Sequence, residues 1–328
     1  MILRILKGNE PFHFVLVPGI VAAFWLKSIR HPETFPFFEG ENSMPLYQPV
    51  HDLLSGLPLV NTLAGLFMVI LLSFLILRMN TVYDFIQIRT FLPTNIFVLI
   101  VSGVVSLHTL HPVYFGALFL LFCIDSLFGT AEGEKQGRDS FKPGFYLSMG
   151  SLFYLNLIFY FPIVWIAFFQ LRKQHDWRDF VMSLIGIALP WFYVFSWYFF
   201  TGSPAGLYET IRLNIFTSNL FFQSGFNFMY VYIAFLILTT LWCSFFMLGQ
   251  YNAKKSSTRK YFKILFLILT ISVVLFFLIP AASEEILVIM AVPLTFLFSN
   301  YLIALRSQFA GNVFMYVFIA LVIWLQFY

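Results

Sequence analysis

The chain has 328 residues, of which 60% are hydrophobic and only 10% charged, against about 25% charged in an average soluble protein. That composition cannot cover a water-facing surface, so lipid must solvate most of the chain and a soluble enzyme is excluded. The net charge of +4 says less than the placement of the charges along the sequence.

A helix crossing a hydrocarbon core ~30 Å thick needs ~20 apolar residues. On that scale the sequence predicts eleven membrane segments, at 12–27, 58–78, 92–109, 112–129, 145–157, 159–171, 180–200, 227–248, 263–280, 286–304 and 312–328, two of them short. The expected fold class is all-α: a polytopic transmembrane helix bundle forming a single integral membrane domain over 1–328. The first segment follows Arg4 and Lys7. With Phe24, Trp25 and Lys27 at its end it offers no small-residue cleavage site and reads as a retained span. Between it and the second segment lies a polar loop, 28–57, holding Glu33, Glu39, Glu41 and Asp52. Further on, Asn80–Phe91 mixes apolar and polar residues as an interfacial helix would.

The 27 residues of 145–171 are flanked by basic loops, with Asn156 near the middle and Pro162 disfavouring helix at Phe161. This predicts a broken segment of two short helices that enters and leaves on one side, shielded by its neighbours. In 201–226, Ser203-Pro204 starts an outer interfacial helix whose Leu207, Ile211 and Ile215 form one stripe. Cys123 and Cys243 both fall in apolar runs and read as buried thiols rather than a disulfide.

Lys and Arg concentrate in loops that stay cytoplasmic. With a cytoplasmic N-terminus, sixteen of the nineteen basic residues fall inside, leaving Lys27, Arg30 and Arg212 outside. Seven carboxylates, Glu33, Glu39, Glu41, Asp52, Glu209, Glu284 and Glu285, share the outer face. That face is therefore net acidic.

No GxxxxGK[ST], HExxH, GxSxG or CxxC pattern occurs, so the chemistry-bearing candidates are the outward polar residues. Glu39-Gly40-Glu41 sets two carboxylates around a glycine. Such a pair can hold Mg²⁺ or Mn²⁺, supply a general base toward a hydroxyl, or simply solvate a loop. Asp52, with His51 beside it, precedes the second span, where it can act chemically or cap a helix. His108 and His111 flank the turn between the third and fourth spans in an HxxH arrangement, and Glu284 and Glu285 occupy another outer turn. Arg30 and Arg212 are nearly the only outer cations able to meet a lipid phosphate. Asp125, near the inner end of the fourth span, sits where a charge is costly unless it reaches the interface.

Taken together, these features resemble the C-type (GT-C) membrane glycosyltransferases, polytopic enzymes that use lipid-linked sugars. The likeness is carried by the acidic pair Glu39 and Glu41 in the first outer loop and by Gly150–Trp197, with short helices, a Trp-bearing basic loop and a span with a proline-aromatic near its middle. Pro280–Leu302, a late span starting at an acidic turn and containing proline, completes it. The chain also resembles an uncharacterised family of Bacteroidetes inner-membrane proteins. The resemblance implies a GT-C-like fold in a bacterial inner membrane. It implies a role in cell-envelope glycan assembly on a polyprenyl-phosphate-linked sugar, with Glu39 or Glu41 as base, Asp52 as a further candidate, and Arg30 or Arg212 on the phosphate. Membrane lipids and other envelope membrane proteins are the expected partners, and nucleic acid is not. The alternatives are a non-catalytic scaffold subunit of an envelope complex and a transporter, the latter argued from the break at Asn156–Pro162.

Overall fold

Long apolar runs fold as helices because no water is available in a bilayer to satisfy bare backbone groups. The computed structural model describes residues 2–8, 10–32, 39–130, 138–172, 176–217, 228–251, 254–305 and 307–327, and among them it contains helices and no strand. In chain order these are α1 (Ile2–Leu6), α2 (His13–Phe24), α3 (Leu26–Arg30), α4 (Glu39–Asn42), α5 (Gln48–Leu54), α6 (Pro58–Tyr83), α7 (Leu92–Ser102) and α8 (Pro112–Gly129). There follow α9 (Arg138–Ser151), α10 (Phe161–Leu171), α11 (Trp177–Phe200), α12 (Pro204–Phe216), α13 (Phe228–Gly249), α14 (Ser256–Leu278), α15 (Ile286–Ala304) and α16 (Gln308–Phe327). Short 3-10 turns occupy Val105–Leu107 and Leu155–Tyr160.

Seven of these, α6, α8, α11, α13, α14, α15 and α16, are long and apolar enough to cross a membrane, while α2, α7 and the 155–171 stretch are apolar but shorter. The eleven expected segments thus separate into seven full-length helices and shorter pieces packed among them. At the centre lie α7, buried at every residue, and α15, buried along most of its length. They pack on each other, with α6 and α2 against α7 and α13 and α14 against α15. A helix apolar on all sides belongs in such a core.

The 145–171 segment is interrupted, but at 152–154 rather than between Asn156 and Pro162, where the 155–160 turn runs straight into α10. Helix starts at Arg138 rather than near 145, runs to Ser151, and gives way to the 155–160 turn before Pro162 opens α10 at its first turn. Both arms begin and end at one end of the bundle, where Ser140 donates to Asp179 (2.5 Å) and Arg172 pairs with the same carboxylate. The tip reaches the other end, where Leu46 N–H donates to Leu152 O (3.2 Å).

The expected interfacial helix at 80–91 is absent. α6 continues through Tyr83 and stops at Asp84, which takes a left-handed backbone (φ 49°). Ile86 N–H then donates to Asn80 Oδ1 (3.2 Å), turning Phe85 and Ile86 into the core rather than along the lipid surface. Asp125 is paired as well, accepting from Tyr83 OH (2.9 Å) and lying 3.4 Å from Arg78. Cys123 and Cys243 are buried free thiols.

The contacts define two chemically distinct ends. At one, Lys7 Nζ donates to Leu302 O (2.7 Å), Lys254 to Asn300 (2.6 Å), and Lys255 pairs with Asp84 (3.1 Å). At the other gather the 108–111 turn, the 283–285 turn, the 152–156 tip, and helices α4, α5 and α12.

Candidate functional site

His111 is the hinge of the site. Pro112 presets the first turn of α8 and has no N–H to satisfy, so the capping bond comes from Val113, whose N–H donates to His111 Nδ1 (3.1 Å). An acceptor Nδ1 leaves the neutral ring's proton on Nε2, which points at Glu41 Oε2 3.1 Å away. Both side chains are almost fully buried, 3% and 6% exposed.

Glu41 comes from α4, a single turn held against α12. Asn214 Nδ2 on α12 donates to Gly40 O (2.6 Å). Beneath, Met44, Tyr47 and Leu155 form a small apolar cluster onto which Ile211, Ile215 and Trp191 pack. Ile211 and Ile215 of the predicted stripe thus pack half-buried against this cluster, while the α12 positions that bury fully are Leu207, Thr210 and Asn214. Tyr47 OH donates to Leu110 O (2.6 Å), tying the first loop to the histidine turn. Burial and the nearby Glu41 carboxylate push the Tyr47 phenol above its usual range.

Glu285 supplies a second acid. It precedes α15 and is 2% exposed. Its Oε1 and Oε2 lie 2.9 and 3.0 Å from the Ser283 N–H that donates to them, Ser283 Oγ donates to Oε2, and Tyr154 OH approaches Oε1 at 3.3 Å. Burial, reinforced by the Glu41 charge, pushes its carboxyl up to about 7, against the opposing pull of His111 and the Ser283 bonds. Tyr154 in turn accepts from Asn156 Nδ2 (3.1 Å). Glu284 receives a bond from Ser106 Oγ. Burial raises its carboxyl while Ser106 and His111 hold it down. Glu41 thus bonds the imidazole directly, while Glu284 and Glu285 are held by their own serine and tyrosine partners and feel its field, in a desolvated region built from the first polar loop, the 108–111 turn, the 152–156 tip and the 283–285 turn. Such an arrangement can present Glu41, oriented by His111, as a base.

The remaining candidates are placed elsewhere. Glu39 falls in α4, with its side chain outside the described residues. Asp52 sits inside α5 rather than at a helix start, exposed and 3.3 Å from His51. His108 does not share a ligand set with His111. Its Nδ1 bonds Ser28 Oγ (3.0 Å), its Nε2 bonds Ser102 O (3.2 Å), its ring stacks on Trp25, and burial lowers its pKa to about 3. Among the described residues no group of three His, Cys, Asp or Glu is arranged to hold a metal ion. Arg212 is exposed on α12 beside Glu209 (3.5 Å). Arg30 faces a groove between α2, α3, α7 and α16. Tyr47, Ser106, Tyr154 and Ser283 join the site without a motif of their own, though Ser106 lies near His108, Tyr154 near Asn156 and Ser283 beside Glu284, all singled out in the sequence.

An all-helical bundle with seven helices fit to cross a bilayer has the build of a multi-pass membrane protein. The chain matches no protein-family model, no curated protein and no solved structure.

Proposed function

We propose that the chain is a glycosyltransferase-like protein of the bacterial inner membrane that acts in envelope glycan assembly on a polyprenyl-phosphate-linked sugar. In this reading Glu41 takes the proton of the acceptor hydroxyl, His111 holds Glu41 in place through Nε2–H, and Glu285 keeps a proton that balances the charge of the pocket. Arg212 is the cation for the substrate phosphate, because its helix is the one bonded to the Glu41 segment through Asn214 and Gly40. One observation carries the proposal: a carboxylate from the first outer loop is buried against a tautomer-fixed histidine at the acidic end of the bundle. Reconstituted vesicles supplied with a polyprenyl-phosphate sugar should show turnover that Glu41→Gln abolishes while the protein stays folded. Unchanged turnover in that variant removes Glu41 from the chemistry.

A second reading, a non-catalytic scaffold for an envelope complex, is favoured by the aromatic outer face of α11. There Phe192, Tyr193, Phe195, Trp197, Phe199 and Phe200 are exposed. It predicts a stable co-purifying membrane partner and full tolerance of Glu41→Gln.

A further inference from the structure

A groove of about 760 Å³ lies between α2–α3 and α16 with α7 as its floor. Its walls are apolar, formed by Ile20, Phe24, Leu99, Ile319 and Ile323 among others, while Lys27, Arg30 and His31 stand at one end. That end belongs to the acidic face of the bundle. Gln326, which lines the groove, donates from Nε2 to Ser102 O (2.8 Å), the same carbonyl that His108 bonds. Neither Lys27 nor Arg30 has a carboxylate partner among the described residues. Gln326 Oε1 is buried with no hydrogen-bond donor. At 1.5 Å per residue the two walls, 20–30 and 319–327, are about 15 and 12 Å long. That is the depth of one leaflet of a ~30 Å core.

We infer that this groove is a binding site for an anionic phospholipid, with one acyl chain along Ile20, Ile319 and Ile323 and the phosphate on Lys27 and Arg30. Cations at the mouth with no carboxylate partner among the described residues select a negative headgroup. Gln326 Oε1 accepts from a headgroup hydroxyl, which favours phosphatidylglycerol over a bare phosphate ester. The length of the walls matches a phospholipid chain rather than a polyprenyl chain crossing both leaflets. None of the lining residues belongs to the Glu41–His111–Glu285 cluster, so lipid binds here whether or not that cluster transfers a sugar.

The test uses the full chain in phosphatidylcholine vesicles containing a trace of photoactivatable phosphatidylglycerol, with labelled peptides read by mass spectrometry. Labelling should fall on α2 and α16 and exceed that by photoactivatable phosphatidylcholine at least fivefold, since each basic residue near an anionic group is worth roughly fivefold. Lys27→Gln with Arg30→Gln should erase the preference. Ala23→Trp, which fills the groove while keeping both cations, should remove the α16 label, with unchanged melting temperatures showing that both proteins are folded. Equal labelling by the two lipids, competition by inorganic phosphate, or displacement by polyprenyl phosphate at a hundredfold lower concentration would each overturn the assignment.

Discussion

His111 Nε2 and Glu41 Oε2 meet 3.1 Å apart in a pocket that excludes water, and the cap made by Val113 N–H on Nδ1 fixes which of the two atoms carries the proton. Each member of the pair therefore depends on the other. A buried acceptor without its donor is left unsatisfied, and so is a buried donor without its acceptor.

Glu41→Gln keeps a hydrogen-bonding partner for Nε2 but cannot take up a proton. Sugar transfer should fall by about 10²–10⁴, with little change in thermal stability. His111→Ala, by contrast, removes the donor to a buried carboxyl and should cost about 1.5–3 kcal/mol of stability, the usual worth of a hydrogen bond to a charged group, and differential scanning fluorimetry in detergent would show it.

Glu285 makes stability depend on pH in a defined direction. Its folded carboxyl is raised to about 7 from an ordinary 4.5, so between those values the folded state binds more protons than the unfolded one. Stability from this group is full below about 4.5 and is lost as pH rises through 7. Glu284 shifts in the same direction. The melting temperature should fall by several degrees from pH 5 to pH 8, at about 2–4 °C per kcal/mol, and Glu285→Gln should flatten that slope.

The crossing of α9 on α11 depends on two glycines facing backbone. A Cβ on Gly186 would strike the Phe141 carbonyl, and one on Gly144 the Ser183 carbonyl, a close approach typical of small residues between membrane helices. Gly186→Ala should destabilise by about 1–3 kcal/mol. Gly206→Ala on α12, where the added methyl meets nothing, should be neutral or stabilising by roughly 0.5–1 kcal/mol. Parallel melting curves of the two variants check the contrast.

Much of the architecture is legible in the sequence because hydropathy acts locally. The long spans and the buried cysteines follow from nearest-neighbour pattern, as does an interruption within 145–171, although it falls at 152–154 rather than between Asn156 and Pro162. What hydropathy cannot show is which turn meets which. HxxH spacing suggests that His108 and His111 act together, yet His111 caps α8 by accepting from Val113 N–H, which turns its Nε2 toward Glu41, while Ser28 and Trp25 hold His108. Tyr154 joins Glu285 because the tip of the broken segment crosses the bundle to reach it. Amphipathic pattern at 80–91 misleads for a related reason: Asn80 caps Ile86 and draws Phe85 inward. Asp52 illustrates the limit at close range, since proximity to the second span places it in α5 beside His51 and away from the buried acids.

Chemistry at Glu41 on an envelope substrate requires the acidic cluster and the basic loops to face opposite compartments. Ser55, exposed just beyond α5, and Ser257, exposed at the start of α14, mark the two ends. With Ser55→Cys and Ser257→Cys made separately in intact cells, a membrane-impermeant maleimide should label position 55 directly and position 257 only after the membrane is opened. Labelling of both from the same side would contradict the account.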